Sequence, residues 1–261
     1  MRHPWLRKGL IFLFWLFIWQ LAAWAIDNSI IFAGPAQMVR ALAAQIQEPD
    51  FWTTIAASFG RIGLGFGGAF LSGLLLGSAA WRFPILGEVL EPFMVLIRSV
   101  PVASFVILAL IWIGSNYLSV LIAFLVVLPM IYVNTRAGLL ATDRELLEMA
   151  RVFCLSIPHQ IRMIYLPSLV PYLVTGCRTA LGMSLKSGIA AEVIGLPSSS
   201  IGEQLYYSKL YLDTAGLFAW TFVIIVISAL FERAALFLLG KLAPAILSPE
   251  ESRSGGSLYE D

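Results

Sequence analysis

The chain is 261 residues long, 59% hydrophobic and 13% charged, with a formal net charge of +1 and a mean hydropathy of +0.84. Soluble domains carry about 25% charged and about 45–50% apolar residues. This composition therefore excludes a disordered chain, a solvated tail protein and most soluble enzymes, and makes lipid the solvent for most of the sequence. A net charge near zero sets up no field that would draw nucleic acid. The two cysteines, Cys154 and Cys177, make neither a disulfide framework nor a metal-ligand cluster.

A membrane-spanning helix needs roughly 20 mostly apolar residues, so the gaps between charges serve as a ruler. Gly9 to Ile26 is the first expected span. Its basic start and Ala23-Trp24-Ala25 resemble a cleavable signal peptide. Its length and its Trp15, Trp19 and Trp24 favour a retained helix with interfacial anchors. Pro35 to Gln47 predicts a short amphipathic helix on the outer surface, a structural connector, with Met38, Leu42 and Ile46 on one stripe. Ile62 to Trp81 is the second span; its G-x-x-x-G pairs, Gly63/Gly67 and Gly73/Gly77, predict close helix packing. The uncharged run Ser99 to Thr135 is long enough for two spans and divides at Gly114-Ser115-Asn116, giving Val100–Ile113 and Leu118–Val133. Leu169 to Ser187, interrupted by Arg178 and Lys186, is the fifth, and Thr214 to Phe231, ended by Glu232-Arg233, is the sixth. The polar stretch Ser248 to Asp261 predicts a disordered tail.

Orientation follows from the Lys/Arg bias of the loops. With the N-terminus in the cytoplasm, most of the 17 Lys and Arg face inward, among them Arg2, Arg7, Lys8, Arg98 and the Arg136–Arg162 set. The outer loops keep Arg40 and Lys209. Both termini are expected to be cytoplasmic. The organisation read from this is an N-terminal transmembrane helix over 1–34, an outer amphipathic connector over 35–54, a core over 55–240 and a cytoplasmic tail over 241–261.

The chain contains no G-x-x-x-x-G-K-[ST], H-E-x-x-H or C-x-x-C. His3 and His159 are far apart and have no evident partner. No catalytic residue, metal site or cofactor is assigned, so energy for any work must come from elsewhere. The longest inner segment, Asn134 to Leu166, is orderly instead. Thr142 or Asp143 can cap an amphipathic helix over 143–153, with acidic residues in its first turn and Leu146, Ala150 and Phe153 on one face. A break at Leu155-Ser156-Ile157 precedes a second short helix, Pro158 to Tyr165. Leu166-Pro167 and Pro171 then close the loop and open the fifth span. Two short helices in a small basic loop suit docking to a soluble partner.

Within this loop, Glu148-Met149-Ala150, three residues, Cys154, nine residues, and Ile164-Tyr165-Leu166-Pro167 resemble the EAA loop of the membrane subunits of binding-protein-dependent ABC importers, E-A-A-x3-G-x9-I-x-L-P. The spacing matches throughout; Met149 and Cys154 depart from the pattern. Cysteine at the glycine position carries a steric cost if φ is positive there. Arg98-Ser99-Val100-Pro101 and Ile111-Trp112-Ile113-Gly114 are similar to the family's next span. Gly176-Cys177-Arg178-Thr179-Ala180-Leu181-Gly182, followed by Ala190-Ala191-Glu192-Val193-Ile194-Gly195, is similar to its nitrate/sulfonate/taurine branch.

The resemblance implies an all-α integral membrane protein with six transmembrane helices, a type I ABC importer permease fold and cytoplasmic coupling helices in loop 142–167. It implies coupling to an ATP-binding ABC subunit through Glu148, Met149, Ala150, Cys154, Ile164, Leu166 and Pro167. It also implies delivery by an extracytoplasmic substrate-binding protein, a pore built with a second permease subunit as a homodimer, and a place in the bacterial inner membrane. Channel or carrier action without an ATPase is the alternative.

Arg178 is the most telling charge, because an arginine in mid-span is costly and usually faces a bundle interior or a wet cavity. With Lys186 and Glu192 it reads as an anion path through the pore. It also reads as an arginine satisfied by helix-end carbonyls or a glutamate, with Lys186 snorkelling to the interface.

Overall fold

The computed structural model describes residues 4–242, and among them every regular element is a helix. The tail expected to be disordered lies outside the described residues. In chain order the helices are α1 (Pro4–Ile26), α2 (Pro35–Gln45), α3 (Pro49–Arg82), α4 (Pro84–Ser99), α5 (Val102–Ile113), α6 (Leu118–Leu140), α7 (Arg144–Val152), α8 (Ile157–Gln160), α9 (Leu166–Gly195), α10 (Ile201–Leu210) and α11 (Thr214–Leu242). A single π turn, Ile161–Tyr165, joins α8 to α9 without a break.

Among the described residues four helices are long and apolar enough to cross a membrane alone: Arg7–Ile26 of α1, α3, α6 and Thr214–Ala234 of α11. A fifth crossing is available if α4 and α5, bent by 102° at their junction, form one broken span. The expected six are met only if α9 crosses as well. It is 30 residues long, but its Gly, Ser and Thr residues and its two cations dilute its apolarity.

The expected third span, Val100–Ile113, is corrected. Its helix begins at Val102 and has 12 residues, about 18 Å at 1.5 Å per residue, too short to cross alone. α4 supplies the missing length if the bent pair is one broken span; the charge-gap ruler passed over it because it carries Glu88, Glu91 and Arg98 and has Pro92 in its interior. Arg98, counted above as a flanking charge, therefore closes α4 at the bend.

The chain divides into two compact units, with boundaries inside α3, α9 and α11. The first holds the residues up to Gly60 together with Glu192–Ile227. Its core is Phe51, Ile201, Trp220 and Val223, with the Phe51 and Trp220 rings 5.0 Å apart. α1 is held there by a few contacts. Trp19 Nε1 donates to the Ala33 carbonyl at 3.0 Å, and the Trp19 ring meets Phe218. Most of its other side chains are exposed, as a helix apolar all round should be when lipid surrounds it. The chain enters α2 through Gly34, whose N–H donates to Gln37 Oε1 at 3.1 Å, and Pro35 takes the first helical position, where its missing N–H is no loss.

The second unit, Arg61–Ala191 with the residues from Ser228 on, is built around α6. Small residues of α3 let the two backbones approach. A Cβ at Gly73 would lie 2.9 Å from Ile131 Cβ, one at Gly77 would lie 2.8 Å from Thr135 Cβ, and one at Gly65 would overlap the Val120 carbonyl oxygen. Ala69, fully buried, completes the i, i+4 row of Gly65, Ala69, Gly73 and Gly77. The expected pairs are thus half corrected. Gly73/Gly77 packs as foreseen, whereas a Cβ at Gly63 or Gly67 would meet nothing within 4 Å. The packed row is shifted by two residues, which turns it about 200° around the helix. On another face Leu64, Leu71 and Leu75 are exposed, which suits lipid.

Candidate functional site

The loop between α6 and α9 is built from local chemistry. Asp143 caps α7, its Oδ1 accepting the Glu145 N–H at 2.9 Å. Glu145 in the first turn and Arg151 in the last complement the helix dipole. α7 ends in a two-bond turn: the Leu155 N–H donates to the Ala150 carbonyl at 2.9 Å and the Cys154 N–H to the Arg151 carbonyl at 3.1 Å. That is the Schellman pattern, whose central residue lies in the left-handed region and is usually glycine. Here it is Cys154, at φ 51°. The side chains beyond tie the next turn down: Gln160 Nε2 donates to the Leu155 carbonyl at 2.8 Å, and Ser156 Oγ lies 3.2 Å from His159 Nδ1.

The passage into α9 is continuous. α9 opens at Leu166 as expected, but without a separate start: the helix runs on through the π turn, and the Leu166 N–H reaches back five residues to the Ile161 carbonyl. Pro167 cannot donate to the carbonyl four residues earlier and would clash with it in a regular helix. A wider turn just before it accommodates both effects. Trp81 of α3 packs against Tyr165, ring centroids 5.1 Å apart, and so anchors this end of the loop.

Of the expected coupling residues, Ala150 and Ile164 are buried and fasten the loop; Glu148, Met149 and Cys154 are exposed; Leu166 and Pro167 are half-buried. Among the described residues the Glu148 carboxylate makes no hydrogen bond or ion pair. The expected common face of Leu146, Ala150 and Phe153 is divided, because Ala150 turns inward and Phe153 is 70% exposed. Phe153 instead joins Val152, 79% exposed, and Ile157, 73% exposed. These apolar side chains stand out among Glu148, Arg151 and Arg144, and an exposed apolar patch with a charged rim is the usual mark of a protein-binding surface.

α9 presents a second feature. Thr175, Arg178, Thr179 and Lys186 are exposed on it, while Cys177, Ala180, Leu181, Ser184 and Leu185 are buried. A Cβ at Gly182, within the exposed row, would meet nothing within 4 Å. The two threonine hydroxyls turn back on their own helix, Thr175 to the Pro171 carbonyl and Thr179 to the Thr175 carbonyl. The row is polar and open where the exposed side of α3 is leucine. Arg178 pairs with Glu232 of α11, Nε to Oε1 3.8 Å. An arginine alone at mid-span costs about 2.5–3.5 kcal/mol on insertion scales, and the glutamate lowers that cost. Sequence reasoning took Glu232 only as the end of a span; the one signal for it was an acid closing an otherwise apolar run.

Glu192 is placed apart from this exposed row. It lies in the first unit and is fully buried. Ser58 Oγ donates to its Oε2 at 2.7 Å, and the Gly202 N–H does so at 3.4 Å. The Ile201 N–H donates to Ser58 Oγ at 2.9 Å, and Ser200 Oγ accepts the Glu203 N–H at 2.9 Å. Glu192 and Ser58 thus satisfy the first N–H groups of α10, where a carboxylate is favoured by the helix dipole. A Cβ at Gly202 would overlap the Glu192 backbone, so this approach requires glycine.

The family of binding-protein-dependent transport system inner membrane components matches residues 69–244. This chain belongs to that family. Among its relatives, the taurine transport system permease TauC of Escherichia coli is 27% identical over 236 residues, 88% of this chain and 86% of the relative. The nitrate import permease NrtB of Synechococcus elongatus is 29% identical over 189 residues, 67% and 68% of the two chains. The bicarbonate permease CmpB of a Synechocystis species is 28% identical over 202 residues, 74% and 69%. The fold is that of a solved permease chain. A chain of the inward-facing MetNI methionine ABC transporter superposes with a TM-score of 0.60 at 15% identity, over 77% of this chain and all of that one. The permease is therefore an all-helical ABC importer subunit, a non-enzymatic membrane component, of the branch that holds the sulfonate, taurine and nitrate permeases.

Proposed function

We propose that this permease forms the translocation pore for a small anion of the nitrate, sulfonate or taurine type, and couples to a separate ATPase through loop 142–167. The α7–α8 surface carries the proposal: a capped and anchored pair of short helices that holds Glu148, Met149, Val152 and Phe153 outward. ATP hydrolysis belongs to the partner. Closure of two ATPase subunits draws two such loops together, and the pore changes the side to which it opens. An extracytoplasmic binding protein delivers the solute, and a second copy of the chain completes the pore.

In this reading the protein sits in the bacterial inner membrane with both termini in the cytoplasm. Residues 1–34 are a peripheral span, 35–54 an outer connector, 55–240 the permease core and 241–261 a cytoplasmic tail. Arg178 and Lys186 line the path. The support is that their row on α9 is polar and uncovered, a poor surface to give to lipid. Glu192 holds the outer end of the core together, fixing α10.

The test is co-purification of the tagged permease with a P-loop ATPase. Glu148→Arg is expected to reduce retention roughly tenfold or more, as reversal of an interfacial charge does, and to abolish ATP-dependent uptake. A variant that keeps both the ATPase and the uptake refutes the coupling assignment. Uptake that persists without any ATPase would establish the carrier reading instead.

A further inference from the structure

Arg178 and Glu232 form an unusually open pair. Their side chains are 57% and 41% exposed, and the 3.8 Å between Nε and Oε1 exceeds a hydrogen bond. Among the described residues the guanidinium has no hydrogen bond, so its donors face the open side of α9 uncommitted. Arginine–carboxylate pairs frequently close to two parallel bonds of about 2.7–2.9 Å; this one does not. Arg178 lies 12 residues into α9 and Glu232 18 residues into α11, about 18 and 27 Å along their axes. Both charges therefore fall within a length that crosses a bilayer.

We propose that Glu232 is the tethered counter-ion of Arg178. It neutralises the guanidinium while the path is empty, and a passing oxyanion displaces it. The inference rests on the reading that Arg178 lines the path. It assigns Glu232 a specificity role, because an anion with two or more oxygens can take the free donors two at a time, whereas a neutral solute gains nothing by competing with a carboxylate. Displacement needs no chemistry: the carboxylate moves off, the anion binds, and the carboxylate returns when the anion leaves.

The experiment uses the full chain with its ATPase in nanodiscs and measures the half-saturating concentration of nitrate and of ethanesulfonate by thermal shift, with glycerol as the neutral probe. Glu232→Gln is expected to lower that concentration for both anions by roughly tenfold, the size of an ordinary coupling between competing ligands, and to leave glycerol without effect. Arg178→Gln is expected to abolish the anion shift, alone and combined with Glu232→Gln. If Arg178→Gln abolishes the shift but Glu232→Gln leaves the wild-type value, the counter-ion is overturned and the path reading stands. If neither anion shifts the wild type or Glu232→Gln, both fall. Should Glu232→Gln not fold, Glu232→Asp keeps the charge and withdraws it; an unchanged half-saturation there overturns the proposal equally.

Discussion

Replacing Cys154 with glycine is expected to tighten the turn that ends α7. The residue sits at φ 51°, where a Cβ crowds the following carbonyl at a cost of about 1–2 kcal/mol. Glycine removes that crowding and returns part of the gain, about 0.5–1 kcal/mol, through its greater freedom when the turn opens. The net is about 1 kcal/mol in favour of the closed turn, with no contact changed, because the cysteine is exposed. The readout is amide hydrogen exchange in the detergent-solubilised chain at the two N–H groups that close the turn, those of Cys154 and Leu155. If they exchange by local opening, about 1 kcal/mol slows them roughly fivefold. Cys154→Ala, which keeps the Cβ, should exchange at the wild-type rate, and Cys154→Asn should fall between. Equal exchange in the glycine and alanine variants would refute the argument, since only the Cβ distinguishes them.

The shifted glycine row predicts a contrast. Gly65→Ala would drive a Cβ into the Val120 carbonyl and should destabilise by about 1–3 kcal/mol, seen as a lower unfolding temperature. Gly63→Ala, with open space at its Cβ, should be neutral or slightly stabilising in the same measurement, as helix propensity favours alanine. Ser58→Ala leaves the Ile201 N–H without its acceptor and takes from Glu192 the hydroxyl that donates at 2.7 Å, at a cost of about 1–3 kcal/mol for a buried unsatisfied group. It should loosen α10 selectively, so exchange there should rise before that of α6; uniform exchange across both helices would sink the assignment.

Much of the permease was legible in its sequence because the relevant physics is local. Charge gaps located α1, α6 and α11, since burial in lipid depends on the run of residues itself. The cap at Asp143, the turn near Cys154 and the short helices after α6 follow from residues a few positions apart, and the EAA spacing lies within that short stretch and the start of α9. The same ruler missed α4, because it reads only uncharged runs and α4 carries Glu88, Glu91 and Arg98. G-x-x-x-G spacing announced close packing but not its register, because either glycine row could meet α6 and only the completed packing selects one.

Partners distant in sequence were settled by tertiary structure alone. Ser58 and Glu192 are 134 positions apart, and Arg178 meets Glu232 across two helices. Composition, periodicity and capping determine which segments become helices and which of them lipid can surround. Where each scarce charge finds its counterpart is decided when those helices pack, because the cost of a charge in a low-dielectric interior depends on what lies within a few ångströms of it.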